Sequence, residues 1–173
     1  TLPDQRVMTL WAQDDNNLWI GTRTAGLCHL TVATKAVSCL SHDVTNPNSL
    51  SANGITSLLG ESGALWIGTY GGGLNRLDRR TNIIRHFRFN DKDDQSLGSD
   101  RVLAIFRDSQ GTLWVGTESG GLNRYNAAAD NFTRYTHSDG IDDSLSNDTV
   151  WEIFESKDGS MWFGTLNGGL NVW

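Results

Sequence analysis

The stretch Leu113-Trp114-Val115-Gly116-Thr117 occurs in nearly the same form four times in the chain. The other three copies are Leu18-Trp19-Ile20-Gly21-Thr22, Leu65-Trp66-Ile67-Gly68-Thr69 and Met161-Trp162-Phe163-Gly164-Thr165. Their tryptophans are 47, 48 and 48 residues apart, and a Gly-Leu pair follows each of them in the same register. Self-similarity at a fixed period predicts a repeat architecture. The chain is therefore interpreted as one series of repeats.

Each period reads as four short extended segments. Residues 102–107 are rich in β-forming side chains and end at the turn sequence Asp108-Ser109-Gln110-Gly111, which returns the chain into residues 112–117. Residues 122–126 and 131–136 are predicted to form the third and fourth strands. No segment has the apolar spacing of an amphipathic helix. Four antiparallel strands in this period predict the blades of an all-β propeller.

The repeat register divides the chain into units of about residues 2–48, 49–95, 96–143 and 144–173. The last unit ends with its third predicted strand, so we expect about four blades, the last without its outermost strand. An arc of a larger ring is favoured over a closed ring of four blades. In such an arc the first and last blades expose apolar faces, which suit contact with other blades or self-association.

The repeated tryptophans are predicted to be structural. A buried indole removes about 150–250 Å² from water, which corresponds to roughly 4–6 kcal/mol as an upper bound. We expect these rings to fill the space between neighbouring blades. They are Trp19, Trp66, Trp114 and Trp162.

Charge and hydropathy exclude two classes of function. The chain carries 14 Lys and Arg against 20 Asp and Glu, a net charge of −6. Because nucleic-acid binding depends on neutralising phosphates, no nucleic-acid partner is expected. The longest apolar run, residues 102–106, is far shorter than the roughly 20 residues of a membrane-spanning helix.

Three segments of the second repeat carry a family resemblance. Asn48-Ser49-Leu50-Ser51, Leu65-Trp66-Ile67-Gly68-Thr69 and Gly73-Leu74-Asn75-Arg76-Leu77 together resemble the two-component regulator propeller repeat. The first repeat departs from this pattern, since Cys28-His29 stands where the second has Asn75-Arg76. Repeats of this family build sensor regions of bacterial hybrid histidine kinases and membrane-bound diguanylate cyclases.

The resemblance implies a ligand-sensing propeller fragment on the periplasmic or extracellular side of a membrane-anchored bacterial receptor. The implied partners are a small polar ligand, such as a carbohydrate, and other blades of the same receptor. An interaction propeller that binds proteins and no small molecule is the alternative. That alternative predicts reduced cysteines and a broad apolar patch on one face.

No residue pattern supports catalysis or cofactor binding. Two acidic connections could supply paired carboxylates or calcium ligands, but Asp is also the residue that Asx turns require. Their carboxylates are Asp91, Asp93, Asp94, Asp139, Asp142 and Asp143. The histidines His29, His42, His86 and His137 lack metal-ligand spacing. We therefore expect no enzymatic activity, no metal site and no cofactor.

The two cysteines are predicted to face each other. Cys28 lies on the third and Cys39 on the fourth predicted strand of the first repeat, and a hairpin folded at Ala33-Thr34 puts them in register. Opposed Cβ atoms are about 4.5–5.5 Å apart, close to what a disulfide needs. The oxidising compartment that the resemblance implies favours the bond. Two buried free thiols are the alternative.

Positions that differ between repeats are candidates for recognition. The residues directly after each Gly-Thr pair are Arg23-Thr24, Tyr70-Gly71, Glu118-Ser119 and Leu166-Asn167. In a propeller this turn shares a face with the connections between blades, and such loops commonly carry binding sites. We predict that a ligand contacts the chain through four residues of this rim, with a merely solvated surface as the alternative. The four are Arg23, Tyr70, Glu118 and Asn167.

Overall fold

A computed structural model describes all 173 residues as fifteen β-strands without a helix. Blade 1 comprises β1 (Val7–Asp14), β2 (Asn17–Thr22), β3 (Leu27–Thr31) and β4 (Ala36–Leu40). Blade 2 comprises β5 (Ile55–Glu61), β6 (Ala64–Thr69), β7 (Gly73–Asp78) and β8 (Ile83–Phe87). Blade 3 comprises β9 (Val102–Arg107), β10 (Leu113–Thr117), β11 (Leu122–Asn126) and β12 (Asn131–Tyr135). Blade 4 comprises β13 (Val150–Glu155), β14 (Met161–Thr165) and β15 (Gly169–Val172).

Each blade is an antiparallel meander whose strands pair in chain order. Three sheets have four strands and the last has three, so the predicted all-β propeller fragment is confirmed. None of its segments is a helix long and apolar enough to cross a membrane. The chain consists of two compact units, Thr1–His86 and Phe87–Trp173. The repeat boundaries proposed from the sequence stay a prediction.

The first unit holds blades 1 and 2, apart from Phe87 at the end of β8, and its core lies between the two sheets. Leu27 of blade 1 packs with Ile55 and Ile67 of blade 2, and all three are buried. Trp11 and Trp19 of blade 1 cover this cluster from one side and are partly buried. We call the side of a blade that faces the next one its trailing face and the opposite side its leading face.

The second unit repeats this arrangement with blades 3 and 4. Trp114 and Leu122 on the trailing face of blade 3 pack against Val150, Ile153 and Phe163 on the leading face of blade 4. The same sequence positions therefore meet in both units. This regularity explains why leucine, tryptophan and a β-branched residue recur at fixed spacing.

In blades 1 and 3 the glycine of the Trp-x-Gly-Thr motif lets the next blade approach. A Cβ atom built on Gly21 would lie 2.6 Å from Cγ2 of Ile55, and one built on Gly116 would lie 2.7 Å from the carbonyl oxygen of Val150. Both distances are too short for a real side chain. Glycine is thus required because the first residue of the following blade passes directly over it.

The four motif tryptophans differ in burial. Trp66 and Trp114 are buried, and Trp19 and Trp162 are half-buried. Trp19 packs against the core of the first unit, in keeping with the expected role between blades. Trp162 instead lies beside Phe154 and Leu170 on the trailing face of blade 4, which no further sheet covers.

Candidate functional site

The turn between the second and third strands has the same construction in every blade. The threonine of the motif donates its hydroxyl to the carbonyl four residues later, at 2.8 Å in Thr22 to Gly26 and 2.9 Å in Thr117 to Gly121. Both glycines have positive φ, and a Cβ atom on Gly26 would meet the carbonyl oxygen of Leu40 at 2.1 Å. The Gly-Leu pair of the repeat is therefore fixed by the backbone of this turn.

This turn lies beside the connection that leads into the next blade. Gly26 donates its N–H to the carbonyl of Asn53 at 3.1 Å, and Gly121 donates to that of Asp148 at 2.8 Å. The prediction that turns and connections share one face is confirmed within each unit. We call this face of each unit the rim.

The rim of the first unit brings Arg23 and Tyr70 together. The backbone N–H of Tyr70 donates to the carbonyl of Gly54 at 2.8 Å. A Cβ atom on Gly54 would lie 3.2 Å from the carbonyl oxygen of Arg23 and 3.6 Å from Cβ of Tyr70. Gly54 thus lies between Arg23 and Tyr70 and is close to both, and the side chains of both residues are exposed.

The rim of the second unit brings together Glu118 and the turn of blade 4. Ser119, next to Glu118, donates its N–H to Oγ1 of Thr149 at 3.2 Å, and Leu166 donates its N–H to the Thr149 carbonyl at 2.9 Å. Leu166, and not Asn167, is therefore the structural counterpart of Glu118. Asn167 is exposed one residue further on.

The residue at the position of Asn167 has the left-handed backbone conformation in three of the four blades. Asn167, Ser119 and Gly71 all have positive φ, at 59°, 62° and 101°. Glycine and asparagine tolerate this left-handed conformation best. Sequence comparison between repeats alone does not separate such a backbone requirement from a role in recognition.

The charged groups of the rim are partly engaged in pairs. Glu118 forms a salt bridge of 3.2 Å with Arg101, whose side chain is exposed. In the first unit, hydrogen bonds from the hydroxyl of Thr24 and from the backbone N–H of Arg6 hold the pKa of Asp4 well below its usual range. Asp4 therefore stays ionised and fixes the turn that carries Arg23.

An asparagine on the third strand locks each of blades 2, 3 and 4 to its incoming connection, and it is buried in blades 2 and 3 and half-buried in blade 4. Oδ1 of Asn75 accepts the N–H of Ser51 at 2.9 Å, and Oδ1 of Asn123 accepts that of Gly98 at 2.7 Å. Asn171 accepts the N–H of Ser146 at 2.9 Å. We call this contact the asparagine clamp. The sequence reasoning missed it, although asparagine recurs at this position in three repeats.

Blade 1 has a disulfide where the other blades have the clamp. Cys28 occupies the repeat position of Asn75 and pairs with Cys39 in the strand register. The two residues form a disulfide with an S–S distance of 1.99 Å and a Cα separation of 4.0 Å. Pro3 occupies the position of Ser51 and has no N–H to donate. A clamp therefore cannot form in blade 1.

The acidic connections use their polar groups internally. Oδ1 of Asp93 accepts the N–H of Gln95 at 3.0 Å, as an Asx turn requires. Nδ1 of His137 lies 2.6 Å from the carbonyl oxygen of Leu145, and Nε2 lies 3.1 Å from Asp139; both contacts raise the pKa of His137. No cluster of three or more His, Cys, Asp or Glu side chains suits a metal ion.

A repeated β-bulge adds residues that the sequence reasoning did not identify. In every blade the pairing of the first two strands skips the second residue of the first strand. Bulges commonly re-aim side chains near functional sites. The bulged residues differ in all four blades and lie at the rim end of the sheets: Met8, Thr56, Leu103 and Trp151. Trp151 is 53% exposed.

The geometry defines a β-propeller fragment with a variable rim, and comparison with known families agrees. Residues 96–119 and 144–167 match the two component regulator propeller family. The third and fourth repeats thus each contain a segment that matches this family, and the resemblance inferred from the sequence is confirmed there. Both matched segments run from a Ser-Leu pair to just beyond the Gly-Thr pair.

Solved structures share the fold at low sequence identity. The extracellular domain of a proposed hybrid two component system, BT4673 from B. thetaiotaomicron, is 24% identical with a TM-score of 0.78 over 99% of this chain. The chain spans 22% of the length of that solved extracellular domain. The WD40 propeller domain of Doa1 is 11% identical with a TM-score of 0.69, and the match covers 96% of this chain and 50% of the Doa1 chain.

A designed protein is also similar. The computationally designed Ika4 protein is 18% identical with a TM-score of 0.60, and the match covers 100% of this chain and 94% of the designed one. No curated protein matches the sequence.

Proposed function

We propose that this chain is the ligand-sensing propeller fragment of a bacterial signalling receptor and works on the extracytoplasmic side of the membrane. The family match of the third and fourth repeats carries this proposal. The similar fold of an extracellular domain from a hybrid two component system supports it. The disulfide supports the same location, because such bonds persist mainly in oxidising compartments.

The rim is the proposed ligand surface. Its backbone is held by repeated hydrogen bonds, and its side chains differ from blade to blade. A rigid scaffold that carries variable side chains suits recognition, because little conformational entropy is lost on binding. Arg23 and Tyr70 would act in the first unit, and Glu118 and Asn167 in the second.

A small polar ligand such as a carbohydrate fits these side chains. Arg23 and Glu118 offer hydrogen bonds to hydroxyl groups, and the exposed ring of Tyr70 offers an apolar face with a polar tip. Trp151 adds a second exposed ring next to the rim of blade 4. Sugars present both apolar C–H faces and hydroxyl edges, which matches this mixture.

Calorimetric titration with a panel of neutral and acidic mono- and disaccharides tests the proposal. We expect at least one sugar to bind with a dissociation constant below about 1 mM. A chain with Arg23→Ala, Tyr70→Ala, Glu118→Ala and Asn167→Gly should lose that binding. The matched control alters turns at the opposite ends of the sheets: Asp15→Ala, Ser62→Ala, Gln110→Ala and Lys157→Ala. Equal binding by both sets of variants would refute the assignment of the rim.

A further inference from the structure

Two variable positions meet at the rim of every blade. The residue directly after each Gly-Thr pair donates its backbone N–H to the carbonyl of the residue that precedes the first strand of the same blade, at 2.8–3.0 Å. We call the two residues joined in this way a rim pair. The four rim pairs are Arg6 with Arg23, Gly54 with Tyr70, Arg101 with Glu118 and Thr149 with Leu166.

The rim pair of blade 3 shows that the two side chains of a pair can reach each other. Nη1 of Arg101 lies 3.2 Å from Oε2 of Glu118. The side chain of Arg101 is 54% exposed, although this residue lies far from both ends of the chain. Exposure is therefore a property of the rim position itself, and a carboxylate at the second position of a pair is within reach of an arginine at the first.

Blade 1 has two arginines in its rim pair. Arg6 stands at the position of Arg101, and Arg23 stands at the position of Glu118. Arg6 and Arg23 continue the register in which Val7 pairs with Thr22. Like charges that stand directly opposite each other on paired strands are destabilising. Blade 1 thus has the cation of the blade 3 pair, repeats it at the second position, and lacks the carboxylate.

The nearby carboxylate of Asp4 orients Arg6 and leaves part of its guanidinium available. Asp4 is buried and accepts hydrogen bonds from the backbone and side chains of both Arg6 and Thr24. Nε of Arg6 donates to Asp4 and Nη2 donates to the hydroxyl oxygen of Thr24, both at 3.1 Å. These bonds use two of the five N–H donors of an arginine. Both hydrogens of Nη1 stay available, and the side chain of Arg6 is 60% exposed.

We propose that the rim pair of blade 1 binds a carboxylate of the ligand, so that the ligand of the first unit is an acidic sugar such as a uronic acid. This site rests on the proposed ligand-sensing function of the rim and deepens it by naming the ligand class. The ligand carboxylate takes the place that the side chain of Glu118 has in blade 3, and both Arg6 and Arg23 donate to it. The planar fork of arginine matches a carboxylate with two parallel hydrogen bonds.

The ring of the sugar then lies toward Tyr70. Gly54 is next to both Arg23 and Tyr70 and adds no side chain of its own between them. Tyr70 is 50% exposed, and its aromatic face offers an apolar surface to the C–H groups of a sugar ring. A carboxylate attached directly to a sugar ring therefore suits the spacing of these residues.

The distribution of charge favours the first unit as the site of an acidic ligand. Residues Thr1–His86 include seven Lys and Arg against six Asp and Glu, whereas Phe87–Trp173 include seven against fourteen. An excess of negative charge repels an anionic ligand. In the second unit Glu118 also already provides the carboxylate that Arg101 contacts. The acidic group of the ligand is thus assigned to blade 1.

An NMR titration of the isotope-labelled chain with glucuronic and galacturonic acids tests the proposal, and glucose and galactose are the neutral controls. We expect at least one acid to shift the backbone amide signals of Arg23 and Tyr70 and to bind about tenfold more tightly than its neutral counterpart. Equal binding of acids and neutral sugars, or no binding of the acids, overturns the carboxylate site. Tighter binding of a sulfated glucose than of glucuronic acid also contradicts it.

The outcomes separate this site from the proposed function of the rim. If neutral sugars bind at the rim as tightly as the acids, the rim remains a sugar-binding surface and only the carboxylate site is refuted. If no sugar binds in this titration or in the calorimetric panel, both proposals fail.

Single substitutions test the role of the rim pair. Arg6→Gln and Arg23→Gln should each weaken binding of the acid at least about fivefold, because each removes charged hydrogen-bond donors. The matched control, Arg80→Gln, removes the same charge from the turn between β7 and β8, which contacts the turn between β5 and β6 at the end of the sheet opposite the rim. It should leave binding unchanged. An equal loss in all three variants would show that the acid responds only to net charge and would refute the rim pair as its site.

Discussion

Oδ1 of Asn123 accepts the backbone N–H of Gly98 at 2.7 Å, so a buried side chain on the third strand of blade 3 holds the connection that enters the blade. The amide nitrogen of Asn123 also contacts the carbonyl oxygen of Val115 at 3.3 Å and Oγ1 of Thr117 at 3.4 Å. Both the oxygen and the nitrogen of the Asn123 side-chain amide therefore have hydrogen-bond partners inside the protein.

Asn123→Ala should destabilise the chain by about 1–3 kcal/mol, because the N–H of Gly98 loses its partner next to the core. Urea unfolding followed by tryptophan fluorescence measures the loss. Asn171→Ala is the matched comparison, since it removes the same clamp where its hydrogen bonds are exposed to water. An equal effect of the two substitutions would mean that burial of the clamp has no energetic role.

Gly116→Ala should cost about 1–3 kcal/mol, because the added methyl overlaps the carbonyl of Val150 and forces the two blades apart. Gly164→Ala adds the same atom at the same repeat position with its nearest neighbour 3.7 Å away. It should leave the free energy of unfolding of the monomer within about 0.5 kcal/mol of wild type. Measurement at low protein concentration keeps this comparison free of association.

The bond between Cys28 and Cys39 should be detectable by mass spectrometry, with no alkylation before reduction and two alkylated thiols after it. Its residues are 11 apart in sequence, and closing a loop of this size stabilises a fold by roughly 2–3 kcal/mol in the chain-entropy model. Reduced protein should therefore melt at a lower temperature. Two thiols that react without a reductant would show that the bond is absent.

Rebuilding the asparagine clamp in blade 1 should depend on Pro3. Cys28→Asn with Cys39→Ser removes the disulfide and leaves the new amide without a backbone donor. Adding Pro3→Ser supplies an N–H at the position of Ser51, and we expect it to recover about 0.5–1.5 kcal/mol. Pro3→Ser in the wild-type chain is the control and should not stabilise the protein.

The stability of the chain should fall as the pH rises past neutrality because of His137. Its pKa is raised by the hydrogen bond with the carbonyl of Leu145 and then by the contact with Asp139. A raised pKa means that the folded state binds the proton more tightly than the unfolded state. The gain is complete below about pH 6.5 and disappears above the folded pKa. His137→Gln should remove this part of the pH dependence in thermal melts.

The architecture could be predicted because one motif fixes both ends of an inter-blade contact. Trp114 and Gly116 recur in recognisable form in every repeat, and the disulfide register of Cys28 and Cys39 follows from one hairpin turn. Local sequence patterns of this kind determine the geometry of the segments in which they occur. The four extended segments within each period of 47 or 48 residues supplied the strand count.

The rim was harder to predict, since its contacts join residues that are far apart in the sequence. The clamp between Asn123 and Gly98 spans 25 residues, and the bulge at Trp151 appears only once the strands are paired. The register of the repeats already places Leu166, and not Asn167, at the position of Glu118, and the backbone contact of Leu166 with Thr149 agrees with it.

Blades 2 to 4 are fastened by amide contacts, whereas blade 1 depends on a sulfur bridge. Hydrogen bonds re-form spontaneously whenever the chain refolds, but the bridge needs an electron acceptor. A chain produced in a reducing cytosol would therefore lack the disulfide of blade 1. Pro3 also prevents blade 1 from forming the asparagine clamp that the other blades have. Maturation of this end of the molecule is then tied to export or to an oxidant.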